Sequence, residues 1–196
     1  MEILYTDQHI VVCVKPVGLD SEAEVPKALS ESVGGTFFPV HRLDKNVGGV
    51  MVYARTKAAA AALSKAIQDN AMVKEYVAMV HGTPPQTDDW EDLLFKDSGK
   101  NKVFVVKRER KGVKKARLEF VRLTAADPSL VRIRLHTGRS HQIRVQFASR
   151  GFPLLGDHKY GARDASPAPM LFSCKLTFPL FGHNHSFEAF PPWSQI

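Results

Sequence analysis

The stretch His41-Arg42-Leu43-Asp44-Lys45-Asn46-Val47-Gly48-Gly49-Val50-Met51-Val52-Tyr53-Ala54-Arg55-Thr56-Lys57 decides the reading of this chain. Its second half follows simple rules. Val50 to Ala54 is a short apolar run entered through two glycines, which predicts a buried strand. Thr56 can accept a backbone N–H, and the Ala-rich run Lys57 to Gln68 has the composition of a helix that such a residue would cap. The first half crowds three cations and one carboxylate into the loop before the strand. Nearby positive charge favours a carboxylate's anion, and an ionised aspartate in such a loop is available as a nucleophile or a base. The same residues also suit a capped turn or a surface ion pair, and the segment alone leaves both readings open.

Outward from this unit, Ile10 to Val14 reads as a strand closed by Lys15-Pro16-Val17-Gly18. Val73 to Val80 reads as another, ended by Gly82-Thr83-Pro84-Pro85, and Thr87 to Asp92 as an acidic, solvated excursion. Strands are expected at Val103 to Val106, Ala116 to Leu123 and Leu130 to Leu135, with turns at Gly112 and Asp127-Pro128. Ser140 is expected to cap a helix carrying Ile143, Phe147 and Ala148, with Gly151 as a left-handed C-terminal cap. Leu171 to Phe178 and His185 to Phe190 supply two late strands. No internal repeat or linker interrupts the chain, so the expectation is one α+β domain over residues 1–196, a mixed, mostly antiparallel sheet with flanking helices.

The 196 residues are 44% hydrophobic and 24% charged, which excludes a disordered or fibrous chain. Lys and Arg number 27 against 20 Asp and Glu, a net charge of +7 that raises nucleic acid as a partner. Cys13 and Cys174 are too few and too far apart for a disulfide framework, so a reducing, cytoplasmic setting is expected. The acidic N-terminus does not suit a signal peptide, and no run approaches the ~20 apolar residues of a membrane span. His183 and His185 alternate without further ligands nearby, and neither a phosphate-binding glycine loop nor a dinucleotide fingerprint is present, so no metal or cofactor is expected.

Two further clusters carry charge. Leu135-His136-Thr137-Gly138-Arg139-Ser140-His141-Gln142-Ile143-Arg144 is a strand end, a glycine turn and a helix start, where backbone N–H groups and Arg139 could hold an anion. An ordinary amphipathic helix with two solvated arginines would look the same. Between Lys107 and Arg117 stand seven bases and one acid, namely Lys107, Arg108, Arg110, Lys111, Lys114, Lys115 and Arg117 against Glu109. Such an arm would pair with phosphates, or it is a mobile charged tip; charge alone does not separate the two.

Four ordered segments carry a resemblance: ILYTDQHIVVCVKPVGL at 3–19, HRLDKNVGGVMVYARTK at 41–57, KEYVAMVHG at 74–82 and LHTGRSHQIRVQFASRGFPLLGDHKYG at 135–161. Together they resemble the RluA-type family of RNA pseudouridine synthases over nearly the whole chain, and the tail from Leu171 to Pro192 looks like the family's closing strands. The resemblance implies an isomerase that detaches uracil from its ribose inside RNA and rejoins it through carbon 5, without a cofactor. It places the family's essential aspartate on Asp44, which either attacks C1′ or removes a proton from C2′. Arg144 would be its ionic partner, and Tyr76 the residue that packs against the base and helps remove the C5 proton. Arg42 would enter the RNA stack where the nucleotide leaves it, an extrusion that costs a few kcal/mol.

His41, Arg139 and the bases Lys107, Arg108, Arg110, Lys111, Lys114 and Lys115 complete the expected RNA contacts. Asn46-Val47-Gly48 and Val145-Gln146-Phe147 depart from the family's common Asp-Thr-Ser and from the histidine that often follows Arg-Val, and so bear on the rim of the pocket. The chain is expected to act on tRNA or rRNA as a monomer, without a separate N-terminal RNA-binding module. A different class of reading, an RNA-binding protein that kept the scaffold without turnover, gains nothing from a desolvated ion pair. A glycosidase would want a second carboxylate beside Asp44.

Overall fold

The computed structural model describes residues 1–194. Strands β1 (Glu2–Thr6) and β2 (Ile10–Lys15) precede helix α1 (Glu24–Val33), and β3 (Phe38–Pro39), β4 (Gly48–Ala54) and helix α2 (Lys57–Gln68) follow. The chain continues through β5 (Val73–Val80), β6 (Thr87–Asp97), β7 (Lys102–Val106), β8 (Val113–Arg122) and β9 (Ser129–Leu135) to helix α3 (Gln142–Ser149). A 3₁₀ turn, His158–Tyr160, leads to β10 (Leu171–Leu180) and β11 (His183–Glu188). The class is α+β, as the sequence implies. The described residues cluster into two compact units, one of residues 1–75 with 172–194, the other Tyr76–Leu171.

In the first unit β2 lies antiparallel between β1 and β4, β10 runs parallel to β4, and β11 folds back on β10. Every residue of β4 is buried. Val50 and Val52 share a core with Ile10 and Val12 of β2, Ala59 and Leu63 of α2, and Leu176 and Phe178 of β10. The Thr56 hydroxyl accepts from the Ala59 N–H at 3.1 Å, as its place before α2 predicts. The double glycine has a steric cause. Ser173 of β10 is paired with Gly49, whose φ is +132°, and a Cβ there would collide with the Ser173 backbone. The polar loop before β4 is therefore delivered at the mouth of a fully buried strand.

Helix α1 was not among the expected elements. It buries only Val25 and Leu29, and Pro26 stands in its first turn, where the missing N–H costs no helical bond, so its apolar stripe is too short to show as a period.

The second unit has the strand order β5-β9-β8-β6-β7, with antiparallel pairing across β9-β8-β6-β7. Thr87 to Asp92 is not the expected solvated excursion but the first half of β6. Its acids face a basic neighbour: Asp89 holds Arg117 of β8 through contacts of 2.6–3.2 Å, and Glu91 stands opposite Arg117 in the register. Cross-strand charge pairing makes a strand of what composition alone reads as loop. Trp90 turns inward from the same strand to pack on Phe120 and Phe147, ring centroids 4.6 and 4.7 Å away.

Ser140 does not cap α3 as expected. The N-cap is His141, in the left-handed region at φ 51°, and the Gln142 side-chain Oε1 accepts from the Thr137 hydroxyl and the Arg139 N–H in front of the helix. The helix ends as predicted: Gly151 has φ +85°, and the Phe152 N–H returns to the Phe147 carbonyl.

Candidate active site

The loop from 40 to 47 is fastened by its main chain. Leu43 is buried, its carbonyl accepts from the Ser21 hydroxyl at 3.0 Å, and its N–H donates back to the same oxygen at 3.2 Å. The Tyr53 hydroxyl of β4 in turn donates to the Ser21 carbonyl at 2.8 Å. On the other side of Asp44, the Lys15 ammonium is fully buried and donates to the carbonyls of Pro16, Lys45 and Val47 at 2.9, 3.2 and 2.8 Å. The Gly18 N–H donates to the Lys45 carbonyl as well, and the Val47 N–H closes a turn on the Asp44 carbonyl. Asp44 itself is half-buried, between one residue anchored by Ser21 and another anchored by Lys15. Neither support is visible as a motif.

Burial pushes the Lys15 ammonium down to about 8, an effect opposed by the charges of Asp20, Asp44 and Glu24. Three hydrogen bonds use all three of its donors, so the charge is retained as a structural clamp. Lys15→Met is expected to lower activity on the order of 10²-fold, the cost of displacing a reacting group by about an ångström. Each orphaned carbonyl costs about 1–3 kcal/mol, while removal of a desolvated charge offsets part of that, so the activity loss should exceed what unfolding explains. Turnover measured beside thermal unfolding checks this; unchanged turnover in a folded variant would remove Lys15 from the loop's support.

His41 is placed differently from its neighbours. Its Nε2 accepts from the Val52 N–H of β4 at 3.2 Å, so the proton of the neutral ring sits on Nδ1. Burial, with the Lys74 charge in addition, holds its pKa down at about 3, against an ordinary 6.5. The unfolded chain therefore binds a proton between these values that the folded chain refuses. Stability from this group is present above about 6.5 and is lost as the pH falls toward 3, with a slope of at most about 1.4 kcal/mol per pH unit. His41→Gln, which keeps an acceptor for Val52, should show a shallower loss between those limits; urea unfolding across the range measures the difference.

Arg42 is exposed, and its guanidinium lies 3.3 Å from Glu22; Lys45 lies 3.1 Å from Glu24. Such exposed pairs are worth little and exchange readily for another anion. The first unit thus brings together His41, Arg42, Asp44 and the unforeseen Lys15, Ser21 and Lys74.

The second unit holds the remaining residues singled out in the sequence. Tyr76 is buried on β5, 6% exposed. Arg144, on α3, is gripped by Asp157, with Nε 2.6 Å from Oδ2 and Nη2 2.7 Å from Oδ1, and both side chains are buried. The guanidinium lies over the Tyr160 ring, 5.2 Å from its centroid. The Tyr160 hydroxyl accepts from the Val103 N–H at 2.8 Å and lies 2.9 Å from His141 Nδ1. Asp157 and Tyr160 escaped the sequence reading, because Gly-Asp-His reads only as a turn.

The basic stretch forms the connection that carries the chain from β7 across to β8, on the other side of β6, and the start of β8. Lys107, Arg108, Arg110, Lys111, Lys114 and Lys115 are exposed. Arg110 stacks on Phe95 at 4.6 Å, Lys115 reaches Glu109 at 3.9 Å, and Arg139 Nε donates to the Lys115 carbonyl. Arg117 is neutralised by Asp89. Among the described residues, Lys107, Arg108, Lys111 and Lys114 make no salt bridge, leaving their charge to solvent or to a ligand.

Among the described residues no helix is long and apolar enough to cross a membrane, and no group of three or more His, Cys, Asp or Glu side chains is placed to hold a metal ion.

Residues 9–149 match the family model described as RNA pseudouridylate synthase. The chain is 35% identical over 203 aligned residues to the dual-specificity RNA pseudouridine synthase RluA of Escherichia coli strain K12, covering 95% of this chain and 91% of that protein. It is 32% identical to ribosomal large subunit pseudouridine synthase D of Zymomonas mobilis, covering 82% of this chain and 56% of the relative. The solved structure of human RNA pseudouridylate synthase domain containing 1 superposes with a TM-score of 0.85 at 24% identity, over 97% of this chain and 83% of that one, a likeness of fold.

Proposed function

The chain belongs to the RNA pseudouridylate synthase family, and from that premise we propose how its residues divide the reaction. The protein is an RNA pseudouridine synthase, an isomerase acting on RNA. In that reaction the N1–C1′ bond of uridine breaks, the base turns, and a C5–C1′ bond forms. C5 gives up its proton and N1 gains one, so atoms balance without a co-reactant.

Asp44 is the carboxylate that starts it, by attack on C1′ or by removal of the C2′ proton. The observation that carries this role is the clamped loop: Ser21 and Lys15 fix the main chain on either side of Asp44 at the entrance of a buried strand. Preorganised carboxylates of this kind spare the reorganisation that water would impose. Arg144 is the cation that serves Asp44, and Tyr76 is the phenol that packs on the base and takes part in removing the C5 proton.

Arg42, whose partner Glu22 is exposed and exchangeable, fills the gap left by the extruded nucleotide. Arg139 with Lys107, Arg108, Arg110, Lys111, Lys114 and Lys115 grips phosphates along the RNA, a contact that weakens as salt rises. His41 contributes by holding the backbone of the loop that bears Arg42 and Asp44. The substrate is tRNA or rRNA, and the whole chain, 1–196, acts as one catalytic domain, as a cytoplasmic monomer. The relatives, one a dual-specificity RNA pseudouridine synthase and one an enzyme of the large ribosomal subunit, support an RNA substrate.

Release of tritium from C5-labelled uridine in tRNA and rRNA tests this reading, alongside pseudouridine mapping in cells with and without the gene. Release and one or more lost sites are expected. Absence of release from both RNAs would overturn it.

A further inference from the structure

Two lysines of the first unit are drawn out of water, and the structure treats them differently. Lys15 is surrounded by three carbonyls. The Lys74 ammonium, on a half-buried side chain at the start of β5, makes no hydrogen bond and no salt bridge among the described residues. The Lys74 charge bears on His41, whose ring is already bonded to the Val52 N–H and is held neutral, so it offers the ammonium no countercharge. Burial lowers the Lys74 pKa with no opposing carboxylate. A desolvated ammonium without a partner costs free energy in the folded protein, and such a cost is characteristic of a group that waits for a ligand. The ligand must be anionic, and the ammonium is near enough to His41, on the loop that carries Arg42 and Asp44, for its charge to bear on that ring.

We propose that Lys74 is an RNA-binding residue, the partner of a backbone phosphodiester next to the uridine being isomerised. This rests on the pseudouridine synthase reading and deepens it. Strand alternation sets Lys74 on the same face of β5 as Tyr76, two residues on. A phosphodiester is already charged before reaction, so Lys74 acts on binding, whereas a cation reserved for the departing base would act on turnover.

The test uses Lys74→Met and Lys74→Arg with two probes, a synthetic oligouridylate and its uncharged methylphosphonate analogue, and the RNA substrate that releases tritium with the wild type. For Lys74→Met the oligouridylate should bind more weakly at low salt, with a slope of log affinity against log salt flatter by about 0.7, the value of one phosphate contact on a single strand. The methylphosphonate analogue should bind wild type and variant alike, and Lys74→Arg should restore the slope. With the RNA substrate KM should rise while kcat holds, and thermal stability should not fall, since an unpaired charge has been removed. An unchanged slope in Lys74→Met overturns the proposal, as does a loss confined to kcat, which would assign the ammonium to the leaving base. Failure of the wild type to release tritium would instead sink the enzyme reading, while the salt slopes would still report whether Lys74 meets a phosphate.

Discussion

Asp44→Asn is expected to slow tritium release from C5-labelled uridine on the order of 10²–10⁴-fold, with RNA affinity kept. The substitution preserves size and removes only the negative charge. The contacts that hold the loop run through main-chain atoms of residues 43, 45 and 47 and the side chains of Ser21 and Lys15, and all of them survive the change. An amide neither attacks C1′ nor takes a proton from C2′ at useful rates, so both chemical routes predict the same loss. Binding gains or holds, because a carboxylate beside incoming phosphates is repulsive and an amide is not. A merely structural Asp44 would show a different pattern, with a lowered unfolding temperature and partial turnover. Release equal to that of the wild type would remove Asp44 from the chemistry altogether.

What could be read from the sequence followed the range of the forces involved. The Gly48-Gly49 entrance, the β4 strand and the Thr56-capped α2 are set by neighbours along the chain, and the structure agrees with them to within two residues. The crowding of charge around Asp44 was legible for the same reason. Its supports were not, because Lys15 lies 30 positions from the Lys45 carbonyl it grips and Ser21 lies 22 from Leu43. The error at Thr87 to Asp92 has that origin too: five polar residues around Trp90 become a strand only when β8, with Arg117, stands across from them. Lys74 lies inside a strand that was read correctly, yet its lack of a partner is a property of the folded surroundings and leaves no trace in the order of residues.

Asp157→Asn should be the most destabilising single change near the site, about 3–5 kcal/mol, the range for breaking a buried ion pair from one side. Asp157 is 1% exposed and Arg144 9%, and the carboxylate accepts from two guanidinium nitrogens at 2.6 and 2.7 Å. An asparagine presents one oxygen and one NH₂ to the same edge, so one guanidinium N–H meets a donor and the cation loses the whole of the Asp157 countercharge. For a chain of this size that loss lowers the melting temperature on the order of 10 °C. Turnover should fall with it, since Arg144 would no longer be fixed over Tyr160. The double variant Asp157→Asn with Arg144→Met separates structure from chemistry. Removing the guanidinium together with its Asp157 partner should recover much of the stability, as replacing both members of a buried pair commonly does. It should recover none of the activity if Arg144 serves Asp44. A double variant that is both stable and active would leave Arg144 as scaffold and require another cation for the reacting carboxylate.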